Sequence, residues 1–231
     1  MMNSKKLSIA LVVFAMLAVM LIGTASACTN TDSTPKPIQC PQPSYCSYLK
    51  LPTSPVTVTV SVSALDVFPF TDTFSGIQNG YDVTNTGYVA YCADLETTIT
   101  IGTAYTDATL SSSLCNPQCG TSAEWNEVNY ILNNNNGNGQ DIQTAIWLVF
   151  GFTNAQIQAL PGFSTEPSKC ALQMYHDALC YSHCCFDACF DKIIAVIVCV
   201  PGQQTTIIEL KNPCCCSWGC YWNQRGCNWG N

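Results

Sequence analysis

The chain has 231 residues, 48% of them hydrophobic and 10% charged, with a formal net charge of −7. An acidic chain with so few cations lacks the basic face that nucleic acid or an anionic membrane requires, so neither is an expected partner. Its seventeen cysteines all lie at or beyond Cys28, which points to an oxidising compartment and to disulfides as the default use of sulfur.

Lys5 and Lys6 precede an apolar run from Leu7 to Ile22, and Ala25-Ser26-Ala27 follows with small residues. This is the pattern of a secretory signal over residues 1–27, cleaved before Cys28. The run is shorter than the ~20 residues a bilayer core requires and no stop-transfer charges follow it, which argues against a membrane anchor. A lipid anchor on Cys28 fits poorly, because Ala25 stands where a lipobox usually carries Leu. The expected mature chain is therefore extracellular, without a membrane span. It keeps Lys36, Lys50, Lys169, Lys192, Lys211 and Arg225 against fifteen acidic residues, and it is long enough for one sizeable core.

Residues 28–55 are rich in Pro, Thr and Ser, with Cys40 and Cys46 flanking a Pro-Gln-Pro segment. They read as an irregular arm stiffened by proline. From Val56 the pattern changes: Val56, Val58, Val60 and Val62 alternate with Thr57, Thr59, Ser61 and Ser63, the period of a strand with one buried face. Further strands are expected at Thr71–Gln78, Gly87–Leu95, Thr97–Ile101 and Tyr105–Leu110.

Helical spacing follows. Ser122 is placed to cap a helix carrying Trp125, Val128, Ile131 and Leu132, which ends in the polar run Asn133 to Gly139. Asp141 is the expected cap of a helix over Ile142–Phe150, and Asn154 of a short one through Leu160. A longer helix from about Pro167 to Cys185 puts Leu172, Tyr175 and Leu179 on one stripe. Strands return at Ile193–Val200 and Thr205–Leu210, around a Pro-Gly turn. Strands, then helices, then strands give an α+β domain over residues 56–210: a β-rich sandwich or barrel-like sheet with a helical insertion, followed by a disulfide-rich tail over 211–231.

The tail opens on Cys214, Cys215 and Cys216. Adjacent cysteines rarely bond one another, since a bridge needs Cβ atoms about 3.5–4.5 Å apart without straining the intervening peptide. In an extended segment Cys215 would face away from its two neighbours, so the cluster reads either as a cross-linker between copies or as part of an internally stapled tail. Internal partners would be Cys180, Cys184, Cys185, Cys189, Cys199, Cys220 and Cys227; Cys28, Cys40, Cys46, Cys115, Cys119 and Cys170 complete the disulfide candidates. An odd total leaves one sulfur for other use. His176 and His183, on the same helical stretch as Cys180 and Cys184, offer a metal-ligand pattern, but paired C-x2-C knuckles are absent and an oxidising compartment favours disulfides over zinc. No metal or cofactor is expected. No G-x-S-x-G, H-E-x-x-H or phosphate-binding glycine loop is present, so nothing supports an enzyme.

Two short motifs differ in kind: Tyr91-Cys92-Ala93-Asp94 in an expected strand, and Ile142-Gln143-Thr144-Ala145-Ile146-Trp147 opening an expected helix. They resemble the motifs of thioester domains, the Cys–Gln cross-linked modules of microbial surface proteins, in which an aromatic-Cys pair supplies the sulfur and a TQxA-type helix braces the site. The resemblance spans roughly Val56 to Leu210. It implies that Cys92 is the thioester sulfur, that Gln204 on a closing strand is the acyl donor with Gln203 the alternative, and that Tyr91, Asp94, Gln143 and Trp147 support the site. Ile142 stands where the helix motif usually has Thr, and Phe150 where it usually has a second Gln. Reserving Cys92 leaves an even sixteen cysteines. A disulfide or a plain buried thiol at Cys92 remains open beside the thioester.

Read as a whole, the export signal, cysteine density, sparse charge and polar β strands are similar to proteins of the insoluble, thiol-sensitive extracellular sheaths of filamentous methanogenic archaea. The leading expectation is a secreted cell-envelope protein that assembles with itself, or with other envelope proteins, through sheet edges and disulfides, because the chain ends at Asn231 with no apolar span, sorting motif or stalk of its own. The alternative is a thioester adhesin that captures a surface amine, and a third reading is a disulfide-stapled binding domain.

Overall fold

A computed structural model describes residues 49–62, 68–114, 122–163, 165–185 and 192–212. The expected signal, the tail beyond Asn212, most of the arm, and Cys28, Cys40, Cys46, Cys115, Cys119, Cys189, Cys214, Cys215, Cys216, Cys220 and Cys227 lie outside these residues; so do the side chains of His183, Cys184 and Cys185.

Strand β1 (Val56–Val62) buries Val56, Val58 and Val60, as its alternation requires. Strand β2 (Phe70–Ser75) turns Phe70, Asp72 and Phe74 inward, and β3 (Gly87–Cys92) and β4 (Ala104–Ser112) follow. Among the described residues four helices come next: α1 (Ser122–Asn134), α2 (Gly139–Val149), α3 (Asn154–Gln158) and α4 (Lys169–Cys185). Strands β5 (Ile193–Cys199) and β6 (Thr206–Lys211) complete the order. The six strands close into an antiparallel barrel in the order β1-β2-β3-β6-β5-β4.

Period-two alternation sorts the core into two layers. Val58, Val60, Phe74, Ala90, Cys92, Val196, Val198 and Ile208 pack inside the barrel. Their neighbours Tyr91, Ala93, Ala195, Ile197 and Ile207 face outward, where Trp125, Val128, Ile131, Ile146 and Met174 from α1, α2 and α4 cover them. That cover explains why β5 is apolar on both faces and nearly continuous in sequence. Among the described residues no helix is long and apolar enough to cross a membrane.

The structure corrects several expectations. Residues 97–101 form no strand, because Thr97 is drawn into a turn by the Asp94 carboxylate. Helix α2 starts earlier than expected: Asn138 is its N-cap, and Asp141 is the third helical residue of a capping box that reaches back to it. Thr153, rather than Asn154, caps α3 in the same way. Ser168 accepts the Ala171 N–H at 3.0 Å and so caps α4. The buried stripe of α4 is Ala171, Met174 and Ala178, whereas Leu172, Tyr175 and Leu179 are half-buried. Finally, a closed barrel gives every described strand two neighbours, so these strands have no free edge for the sheet-edge assembly expected of a sheath protein.

Candidate functional site

The site begins where β2 runs out. The last β2–β3 pair is Phe70↔Ala90, so Cys92, two residues further along β3, has no β2 residue beside it. On the other side Ala93 donates its N–H to the Thr205 carbonyl at 2.9 Å. Backbone groups alternate sides along an antiparallel strand, so the N–H and C=O of Cys92 point away from β6, towards the missing strand. Burial there without partners would cost about 1–3 kcal/mol per group.

Gln143 supplies both partners. Its Oε1 accepts the Cys92 N–H at 2.7 Å and its Nε2 donates to the Cys92 carbonyl at 2.8 Å. A primary amide carries a donor and an acceptor side by side, the complement of a strand residue's N–H and C=O. Gln143 is fully buried, one turn into a helix pinned at its start by the Asn138/Asp141 capping box. At that start Gly139 lies against the 68–69 segment so closely that a Cβ would come within 2.5 Å of the Phe68 carbonyl oxygen. One turn beyond Gln143, Trp147 packs against the rings of Phe68 and Phe163 at 5.8 and 5.0 Å, its buried indole N–H without a partner.

The Cys92 side chain is 2% exposed, lies in the inner layer and is a free thiol. Burial pushes the thiol well above its ordinary value, and the carboxylates of Asp72 and Asp94 push it further. Directly opposite Cys92 on β6 stands Thr206. Since the pair is not hydrogen-bonded across the ladder, the two side chains approach in the closer of the two antiparallel spacings. The Thr206 hydroxyl donates to Oδ2 of Asp72. Asp72 is fully buried, its Oδ1 has no hydrogen-bond partner, and burial raises its carboxyl to about 6 against the lowering effect of the Thr206 bond.

Around this inner group the 94–98 turn is tied to the entry of β6. Asp94 Oδ2 accepts the Thr205 N–H at 2.8 Å, while its Oδ1 accepts from the Thr97 backbone and hydroxyl. The Gln204 amide donates to the Asp94 carbonyl at 2.7 Å, two residues from Cys92. Gln203 turns elsewhere: its side-chain oxygen accepts from Tyr105 of β4 at 3.3 Å. Of the two glutamines, Gln204 is thus the one beside the Cys92 segment.

The fold accordingly brings Cys92, Asp94, Gln143 and Gln204 together. Tyr91 faces the opposite way, hydrogen-bonded to Glu209 beneath the helices, where burial raises both groups. Among the other sulfurs, Cys170 is in a disulfide, Cys180 is an exposed free thiol and Cys199 ends β5; His176, one turn before Cys180, is also exposed. Asp72 and Thr206 are the site residues that motif reading misses. The signal for Asp72 lies in the alternation Phe70-Thr71-Asp72-Thr73-Phe74, which puts a carboxylate on the same inward face as two phenylalanines.

No family model matches the sequence, and no curated protein matches it. Among solved structures, three surface-protein domains are similar at low TM-score. The pilus-presented adhesin Cpa is 10% identical at TM-score 0.41, over 69% of this chain and 66% of its own, so the chain spans just under two thirds of that protein's length. The N-terminal thioester domain of a Clostridium perfringens surface protein is 13% identical at 0.38, over 66% and 97%. That of the Streptococcus pyogenes fibronectin-binding protein SfbI is 14% identical at 0.39, over 72% and 98%.

Two outcomes follow from the site's polar groups. Gln143→Leu leaves the Cys92 N–H and C=O buried and unpaired, and is expected to cost about 1–3 kcal/mol for each in denaturant unfolding; a variant as stable as the parent would show that water or another group takes the amide's place. Because the Asp72 carboxyl is raised in the folded state, from 3.8 to about 6, its contribution to stability is fully present below pH 4 and lost as pH rises through 6. Asp72→Asn, which keeps an acceptor for Thr206, should therefore gain stability relative to the parent across that window, on the order of 3 kcal/mol by pH 7. Parallel stability curves from pH 4 to 7.5 would contradict this.

Proposed function

We propose that the chain is an exported covalent-adhesion module, in which Cys92 and Gln204 condense to an internal thioester that an amine on a partner surface opens. The observation that carries this reading is the Gln143 amide clamped on the Cys92 peptide group. It spends a fully buried side chain of the IQTA segment on holding one cysteine at a strand end, with an unbonded thiol and the Gln204 carboxamide on the adjoining segment.

The chemistry balances without a cofactor. The Cys92 sulfur adds to the Gln204 carboxamide carbon, the C–N bond breaks, and the thiol proton leaves with the nitrogen as ammonia. A primary amine later adds to the same carbon, the C–S bond breaks, and the thiol is restored as the amide forms. Gln204 gives up its bond to the Asp94 carbonyl to approach the sulfur, which itself lies in the apolar inner layer. Each molecule reacts once, so this is bond formation without turnover. The export pattern, the cysteine content and the low charge agree with a place outside the cell or on its surface. A closed barrel favours this reading over assembly through sheet edges.

The test is capture of a fluorescent cadaverine by the exported full-length chain, read on denaturing gels after reduction and by peptide fragmentation. One label per chain on Gln204, absent from Cys92→Ala and from Gln204→Asn, is the expected result. No incorporation by the parent, or undiminished incorporation by Cys92→Ala, would overturn the reading.

A further inference from the structure

The thioester reading leaves a chemical difficulty at Cys92. A thiol buried in the barrel holds its proton tightly, and the amide nitrogen of Gln204 can leave only if it receives one. Some group beside the sulfur must take the first proton and return it to the nitrogen.

Asp72 has the position for it. It projects from the middle of β2 into the inner layer, between Phe70 and Phe74. One carboxylate oxygen is held by the hydroxyl of Thr206, the residue directly opposite Cys92. The other, Oδ1, is buried with no hydrogen-bond partner, a costly arrangement for a purely structural carboxylate. Its charge is also felt at the Cys92 thiol. Asp94, the other carboxylate near Cys92, is committed: both its oxygens accept hydrogen bonds from Thr97 and Thr205.

We infer that Asp72 is the proton carrier of this site, taking the thiol proton of Cys92 as sulfur adds to the Gln204 carbonyl carbon and delivering it to the departing nitrogen. This rests on the thioester reading. The Cys92 S–H bond breaks to the free Asp72 oxygen as the S–C bond forms. Collapse of the adduct breaks the C–N bond, the carboxyl returns its proton to that nitrogen, and ammonia leaves with Asp72 ionised again. Thr206 is a positioning residue that aims the free oxygen by anchoring the other. Opposite Asp72 stand Tyr88 on β3 and Val60 on β1; on β6 Thr206 bridges it to the position of Cys92, whose thiol feels the charges of Asp72 and Asp94.

The full-length chain tests this without unfolding. Brief ammonia treatment opens the thioester to the Cys92 thiol and Gln204 carboxamide; after the ammonia is removed, re-formation is followed between pH 5 and 8 as a mass loss of about 17 Da per chain. The parent should re-form the bond with a rate that falls as pH drops through 6, where Asp72 protonates. Asp72→Asn should be slower by about 100-fold or more and lack that inflection. In Thr206→Val the loss of the hydroxyl that lowers the Asp72 carboxyl should move the inflection to higher pH, and this decides the matter should Asp72→Asn not fold. Asp72→Asn re-forming the bond as fast as the parent, or an inflection unmoved in Thr206→Val, would overturn the role of Asp72 alone. A parent that never shows the light mass would sink the thioester and Asp72's role together, whereas a light parent leaves the thioester standing whatever the variants do.

Discussion

The arrangement of this protein depends on one side chain standing in for a strand. Strand β2 stops short of Cys92, and Gln143 crosses from α2 to make the two hydrogen bonds β2 would have made. Each such bond adds only about 1 kcal/mol to stability, but leaving its buried partners unmade costs more. The pair therefore fixes helix to barrel more by penalty than by attraction. The same helix starts against the 68–69 segment, where only glycine fits at 139, and carries Trp147 into the inner layer one turn beyond Gln143. The pair also ends the sheet at a cysteine, placing a thiol where two strands and a helix meet.

Much of this was legible before the fold was known. The Val/Thr alternation marked β1, and the YCAD and IQTA segments marked the two halves of the clamp; the glutamine pair after the Pro-Gly turn, expected on the closing strand, instead lies ahead of it, since β6 begins only at Thr206. What failed has physical reasons. Gly139 and Gln140 read as loop because the asparagine-rich run hides the real cap, Asn138, which is visible only through its bond to the Asp141 N–H. The α4 stripe was misplaced because small residues, Ala171 and Ala178, face the close helix packing and leave bulkier leucines half-buried. Thr97–Ile101 has strand-like composition, yet the Asp94 carboxylate holds it in a turn. Tyr91 belongs to the motif but faces away from the sulfur, whereas Asp72, in no motif, faces towards it.

Closure of the barrel changes what the polar strands mean. Alternating Val and Thr with few charges suggests an edge ready to pair, but in a closed barrel the outward Thr and Ser rows of β1 and β2 simply meet solvent. The same closure gives the inner layer its chemical character: a thiol, a hydroxyl and a carboxylate enclosed by valine, phenylalanine and isoleucine. A reactive acyl group stored there would be shielded from hydrolysis until a partner's amine arrived. The buried carboxylate is costly to the fold, and the Thr206 hydroxyl offsets part of that cost.

A crystal structure of the exported protein, at a resolution that separates a covalent C–S bond from a van der Waals contact, tests the central claim most directly. The account predicts continuous density from Cys92 Sγ to Gln204 Cδ, with the Gln143 amide still paired to the Cys92 peptide group. A separate thiol beside an intact Gln204 carboxamide, still bonded to the Asp94 carbonyl in every molecule, would contradict it.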